Sequence, residues 1–245
     1  MPKSEIPVSK TSDLSGKRLG IVLPSSNTVV EPLAAQMLVG TGVTAHFSRL
    51  EVIDVALDRG SRAQFALQRH VEAAKLLADA KVDAIVWGGT SASWLGPEHD
   101  RAFCDAVEAA TGIRTTSCVL AMNRLLRPEP KFRLGLVTPY TDDVHAQIVE
   151  NYRAMGYSCD ASENHGGALS SDFADLSPQA IATMVRKVAA ARPDVIFIMC
   201  TNLRGAAVAA ALSAELGLTV TDSAAITISA GLELLNRNSA TQSIC

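Results

Sequence analysis

Short runs dominated by apolar residues alternate along this chain with longer Ala-rich stretches whose apolar positions recur at helical spacing. The runs at 19–23, 84–87, 134–138 and 195–199 lack the polar alternation of a half-exposed strand and read as strands buried in a parallel sheet. Residues 61–80, 99–111 and 143–156 read as amphipathic helices of high intrinsic propensity. Ser177-Pro178 marks another helix start, Ser capping and Pro in the first turn, with helix to about residue 191. The last segment, 224–237, is expected to be a helix that crosses back to the first half. Residues 1–15 are polar and expected to form a loose arm.

The pattern occurs twice. Arg18-Leu19-Gly20-Ile21-Val22-Leu23-Pro24 matches Arg133-Leu134-Gly135-Leu136-Val137-Thr138-Pro139. Asp83-Ala84-Ile85-Val86-Trp87-Gly88-Gly89-Thr90 matches Asp194-Val195-Ile196-Phe197-Ile198-Met199-Cys200-Thr201. Thr111-Gly112-Ile113-Arg114-Thr115-Thr116-Ser117 matches Leu216-Gly217-Leu218-Thr219-Val220-Thr221-Asp222. Three weak matches in the same order are strong together. Strand-helix-strand units at this spacing require right-handed crossovers. The predicted fold is α/β, with two pseudo-symmetric flavodoxin-like lobes, each a parallel sheet flanked by helices, and a cleft between them. The lobes are expected at 17–128, joined by the helix at 224–237, and at 129–223.

Composition narrows the function classes. The chain has 245 residues, net charge −3, 48% hydrophobic and only 4% aromatic residues, so its core rests on Ala, Val, Leu and Ile. A weakly acidic chain without a basic run argues against nucleic acid as a partner. No apolar stretch of about 18 residues suggests a membrane span, and the start lacks a signal peptide's apolar core, so a cytoplasmic protein is expected. The five cysteines (Cys104, Cys118, Cys159, Cys200 and Cys245) include no CxxC pair, which disfavours a disulfide framework or a zinc site. Cys104, Cys118 and Cys159 are expected to be small core residues. His46, His70, His99 and His165 show no metal-ligand spacing, and His145 is expected on a solvated helix surface. No metal and no cofactor is expected.

Ligands of open parallel sheets bind beyond the carboxyl ends of the strands. Here those ends carry Pro24-Ser25-Ser26-Asn27, Gly89-Thr90-Ser91, Pro139-Tyr140-Thr141-Asp142 and Cys200-Thr201-Asn202. Such loops offer hydroxyls and backbone N–H groups to an anion, so the implied ligand is a small carboxylate or dicarboxylate. These residue types also cap ordinary helices. Cys200, expected beside a helix start, gains thiolate character from that position and suits proton transfer or nucleophilic attack. Gly89 occupies the matching place in the first half.

These residues resemble the aspartate/glutamate racemase superfamily. Gly20-Ile21-Val22-Leu23-Pro24-Ser25-Ser26-Asn27-Thr28 is similar to the opening motif of maleate cis-trans isomerases. Gly89-Thr90-Ser91-Ala92-Ser93-Trp94 is similar to a segment of arylmalonate decarboxylases, with Trp94 where those have Phe. The similarity spans roughly 17–237. The resemblance implies a cofactor-independent reaction. Racemases and isomerases of this type use one Cys per lobe; decarboxylases keep only the second, here Cys200, with Gly at the first, here Gly89. By the same resemblance Thr90, Ser91 and Tyr140 hold the retained carboxylate and Cys200 protonates the carbanion. Pro24, Ser25, Asn27, Gly89, Thr201 and Trp94 are expected to contact substrate. Asn27 is isomerase-like and could hydrogen-bond a second carboxylate. A Gly89→Cys exchange is expected to restore a thiol pair and racemase activity.

Three functions follow as expectations. The first is a decarboxylase (lyase) of a substituted malonate or related acid. The second is an isomerase or racemase of a small dicarboxylate or amino-acid derivative, including proteins found beside ectoine-degradation enzymes. The third is a non-catalytic carboxylate-binding protein. Whether the protein is a monomer or a homo-oligomer is left open by the sequence.

Overall fold

A computed structural model describes residues 14–129 and 132–237. Two four-stranded parallel sheets carry the chain. The first contains β1 (Arg18–Pro24), β2 (Thr44–Leu50), β3 (Ala84–Trp87) and β4 (Thr115–Ser117) in the order β2-β1-β3-β4. The second contains β5 (Arg133–Tyr140), β6 (Ser158–Gly167), β7 (Val195–Ile198) and β8 (Thr219–Asp222) in the matching order β6-β5-β7-β8. Ten helices flank them among the described residues: α1 (Val30–Met37), α2 (Arg59–Ala63), α3 (Leu67–Asp79), α4 (Ala92–Leu95), α5 (Pro97–Thr111), α6 (Cys118–Asn123), α7 (Asp142–Ala154), α8 (Pro178–Ala189), α9 (Ala206–Leu216) and α10 (Ser223–Asn236).

Every apolar run becomes a central strand. All four residues of β3 and of β7 are buried, because parallel strands are covered on both faces. The third repeat is structural as well. α5 and α9 both end at a left-handed glycine, Gly112 (φ 70°) and Gly217 (φ 66°), a conformation that glycine adopts without steric cost. Ser117 and Asp222 then end β4 and β8, and each caps the following helix through its side chain.

The helix expected over 61–80 is instead two. α2 is capped by Asp58, and the chain extends at Ala66 (ψ 134°) before α3 begins. Phe65 lies in this break with its ring in the core, so tertiary packing overrides the continuous helical propensity. α10 packs on α1, α6, β3 and β4 of the first lobe. Its Gly231 sits hard against β1, where a Cβ would come within 2.5 Å of Leu19. Of the arm expected at 1–15, residues 1–13 lie outside the described residues. Leu14 packs on the cluster formed by β1 and α10. Cys104, Cys118 and Cys159 are buried, and Cys245 lies outside the described residues.

Two buried titratable groups away from the cleft oppose one another. His70 of α3 is enclosed by Trp87 and Phe103, with ring centroids at 4.5 and 5.3 Å, and burial lowers its pKa to about 4. Burial raises Asp222 to about 7, although its carboxylate caps α10. Between pH 4 and 6.5 the folded chain binds fewer protons than the unfolded chain at His70, so that group adds stability as pH rises. At Asp222 it binds more, and stability is lost as pH rises through about 7. The two slopes oppose one another, each at most about 1.4 kcal/mol per pH unit. Compared with the parent protein, Asp222→Asn should therefore tilt the stability curve upward between pH 4 and 6.5, and His70→Phe should tilt it downward. Urea melts across that window check both; curves parallel to the parent's in the two variants would disprove the assignment.

Candidate active site

The carboxyl ends of β1, β3, β5 and β7 meet between the lobes around one cavity. Pro24, Asn27, Gly89, Thr90, Trp94, Tyr140, Cys200 and Thr201 line it. So do three groups that the motifs did not mark, Val52 and Val55 after β2, Phe65 between α2 and α3, and Ser170 with Phe173 after β6, together with Trp87 and Asn202. Among the described residues that line it, none is Lys, Arg or His. A carboxylate here would be held by neutral donors in a medium of low dielectric, where each donor counts for more than in water.

Two side chains cross between the lobes in mirrored fashion. Tyr140, from the second lobe, has its hydroxyl 2.7 Å from Thr90 Oγ1 of the first. Asn27, from the first lobe, donates from Nδ2 to Thr201 Oγ1 at 3.2 Å, and Thr201 in turn donates to the Gly88 carbonyl at 2.8 Å. Asn27 Oδ1 accepts from the amides of Val29 and Val30, both at 3.0 Å, at the start of α1. Its carbonyl is thus committed to the fold, and only one N–H of its amide is left over for a ligand.

Ser25 and Ser91 do not border the cavity. The Ser25 hydroxyl exchanges hydrogen bonds with the backbone of Val52 (3.1 and 3.4 Å), and Ser91 Oγ accepts from the Trp87 indole at 3.2 Å. His145 is buried rather than solvated. Its Nδ1 lies 2.9 Å from Thr138 Oγ1, and burial lowers its pKa.

Cys200 is 5% exposed, and burial pushes its thiol up to about 12. Hydrogen bonds from the Asn202 amide (3.4 Å to Sγ) and from Tyr140 work the other way but are weaker. The expected helix start at the thiol is absent, because α9 begins only at Ala206. Desolvation therefore wins, and the group is a neutral thiol at physiological pH, an acid and not a ready nucleophile. Its backbone is fixed from below, where the Cys200 amide donates to Ser223 Oγ at 3.0 Å. Burial also keeps the Tyr140 hydroxyl protonated, well above the usual phenol range.

Gly89 faces the same cavity, but a thiol does not fit there. A Cβ on Gly89 would meet the Trp87 ring at 2.2 Å (Cζ2) and 2.5 Å (Cε2). Trp87 is fully buried, and its ring cannot swing aside without losing the Ser91 bond. Gly89→Cys alone should thus destabilise the fold by about 1–3 kcal/mol, the usual range for overpacking. That corresponds to a melting point lower by about 5 °C for a chain of this size. Racemisation should not appear. Pairing it with Trp87→Leu should recover much of the loss, a coupling that a double-mutant cycle measures.

The walls stand close together. The segments after β2 and β6, one from each lobe, pair over the cavity through an antiparallel bridge between Asp54 and Leu169. Val55 N–H donates to the Ala168 carbonyl (3.1 Å) and Ser170 N–H to the Ile53 carbonyl (3.0 Å). Asn202 ties in the same layer, accepting from the Thr28 amide (2.9 Å) and donating to the Ser170 carbonyl (2.7 Å). About 20 Å³ of free space is left inside, room for one water molecule. A dicarboxylate needs more, so these walls must part to admit one. Among the described residues, no cluster of His, Cys, Asp or Glu could hold a metal ion, and no helix is long and apolar enough to cross a membrane.

Residues 19–244 match a family model described as arylmalonate decarboxylase. The chain is similar in fold to the maleate isomerase Iso from Pseudomonas putida, with a TM-score of 0.78 at 20% identity, covering 89% of this chain and 92% of that one. The maleate cis-trans isomerase of Nocardia farcinica bound to TRIS gives 0.79 at 21% identity, covering 93% and 95%. An unliganded arylmalonate decarboxylase gives 0.72 at 18% identity, covering 91% and 94%. A comparison with curated proteins finds no match. At these identities the solved structures speak for the two-lobed fold.

Proposed function

The chain belongs to the arylmalonate decarboxylase family, and from that premise we propose that it is a cofactor-independent decarboxylase of a substituted malonate or related small dicarboxylic acid, with Cys200 as the single proton donor. The observation that carries this reading is the asymmetry of the cavity: a protonated thiol on the second lobe, and on the first a Gly89 that Trp87 keeps free of any side chain. A site with one acid can protonate a carbanion from one face. It cannot exchange a proton between two faces, and it lacks the first-lobe thiol that would attack an alkene.

The chemistry follows from the lining. One carboxylate of the substrate is held by the hydroxyls of Tyr140 and Thr90. The other is placed against the apolar wall of Val52, Val55, Phe65 and Phe173, where a desolvated anion is raised in energy. Its carbon–carbon bond breaks, carbon dioxide leaves, and the electron pair passes into the retained carboxylate as an enediolate. Tyr140 and Thr90 stabilise the charge growing on those oxygens. Cys200 gives its proton to the carbon, and the thiolate left behind, strongly basic in this buried site, is reprotonated from solvent when the walls open.

The test is a substrate panel on the purified protein. Carbon dioxide released from methyl(phenyl)malonate, with a single product enantiomer, is the expected result. Conversion of maleate to fumarate with no malonate turned over would sink this reading in favour of an isomerase. Binding of dicarboxylates without turnover of any would leave a carboxylate-binding protein.

A further inference from the structure

The chain has two tryptophans, and both border the cavity. Their indole N–H groups differ. That of Trp87 is satisfied by Ser91 Oγ at 3.2 Å. That of Trp94 is fully shielded from solvent and meets no acceptor among the described residues. A buried donor left unpaired weakens a fold, and native structures rarely keep one without a use for it.

The surroundings of Trp94 are aromatic. Phe65 packs edge-on with ring centroids 5.7 Å apart, and Tyr140 with centroids 5.1 Å apart. Tyr140 is itself occupied by Thr90. Among the described residues no group supplies this N–H with an acceptor, and because Trp94 lines the cavity, a molecule bound there could supply one. Because the ring is 4% exposed and wedged between two others, it has little freedom to seek a partner elsewhere.

We propose that Trp94 is a specificity-determining donor whose indole N–H selects substrates carrying a hydrogen-bond acceptor on the side group of the malonate. The proposal rests on the decarboxylase reading only for the malonate core. It divides the cavity by role. Tyr140 and Thr90 serve the retained carboxylate, the apolar wall serves the one that departs, and Trp94 reads the remaining substituent. A carbonyl, ether or ring-nitrogen acceptor would satisfy the N–H. A purely hydrocarbon group of the same shape would fill the space and leave the donor unpaired, which is how such sites reject isosteres.

Isotope-labelled tryptophan in the full chain gives an indole N–H resonance for each ring, assigned with Trp94→Phe or, should that variant not fold, Trp87→Phe. The probes are the monoacids that correspond to methyl(phenyl)malonate and methyl(pyridyl)malonate, at a pH where the pyridine is unprotonated. The pyridyl acid should move the Trp94 proton resonance downfield and the phenyl acid should not. The pyridyl acid should also bind about tenfold more tightly, a preference of about 1.4 kcal/mol, and Trp94→Phe should bring that ratio close to one. No downfield shift with the pyridyl acid, or an unchanged ratio in Trp94→Phe, overturns the proposal. Carbon dioxide release from the two parent malonates is scored separately. A shift without release removes the decarboxylase reading and leaves the donor role standing.

Discussion

Replacing Cys200 with alanine should lower carbon dioxide release by about 10²–10⁴-fold, the range that a positioned general acid contributes. Inside so tight a cavity few other groups could supply the proton. Among the described residues Cys200 is the one thiol on its wall, and Gly89 across the pseudo-symmetry presents no side chain. Tyr140 is the next group with a proton to give, but burial holds that proton well above the usual phenol range and Thr90 already engages the hydroxyl. With room for about one water, solvent is a poor substitute. The loss should fall on kcat, because the thiol acts after the carbon–carbon bond has begun to break and contributes little to ground-state binding. Residual product should be racemic, since water reaches the carbanion without a fixed face. Cys200→Ser keeps the geometry with a weaker acid and should fall between. Single-turnover rates with chiral analysis of the product check this. An alanine variant that keeps both its rate and its enantiomeric purity would remove Cys200 from the reaction.

The second large effect is expected at Tyr140. Phenylalanine preserves the ring, which packs edge-on against Trp94 and Phe173 at 5.1 and 5.4 Å, and deletes only the hydroxyl. If that hydroxyl stabilises the developing enediolate, kcat should drop by about 10²–10³-fold, as for the loss of one oxyanion-hole donor. KM should change far less, because the charge grows only as the reaction proceeds. Thr90→Val should produce a similar loss. The double variant should be little worse than either single one, since the two hydroxyls form one unit at 2.7 Å. A stability cost of about 1–3 kcal/mol is expected in Tyr140→Phe from the stranded Thr90 hydroxyl, so activity is compared at temperatures where both proteins are folded. Rates that simply add, or a change confined to KM, would reassign the pair to ground-state binding.

What the sequence disclosed depends on which physical force writes each feature. The central strands β1, β3, β5 and β7 are legible because burial on both faces demands unbroken apolar runs. The edge strands β2 and β6 are half polar along their length and carry no such mark; β6 alone reads Ser-Cys-Asp-Ala-Ser-Glu-Asn-His-Gly-Gly. Their missed ends matter, because the segments that follow them bring Val52, Val55, Ser170 and Phe173 over the cavity. No local pattern announces a loop that works by lying on the other lobe. Loop composition locates the strand ends but not where each hydroxyl points: Ser25 and Ser91 carry the same loop signature as Thr90 and Tyr140, yet their hydroxyls bond elsewhere. The ionisation of Cys200 is hidden from the sequence for a related reason. A strand end followed by helix-forming residues is visible in a sequence, whereas the later start of α9 and the desolvation of the thiol are properties of the assembled cavity.

The placement of Trp87 under Gly89 also bears on how this site can change over generations. Glycine and cysteine codons differ by a single base, so recovering the first-lobe thiol is a short step at the level of the gene. At the level of the protein it is obstructed, because the indole occupies the volume that a Cβ would need. A lineage that set out to regain two-thiol chemistry would first have to shrink residue 87. That step opens a cavity in the core and offers no catalytic return of its own. The two substitutions are useful only together. One packed ring thus acts as a ratchet, separating one-acid from two-acid chemistry by a valley in fitness.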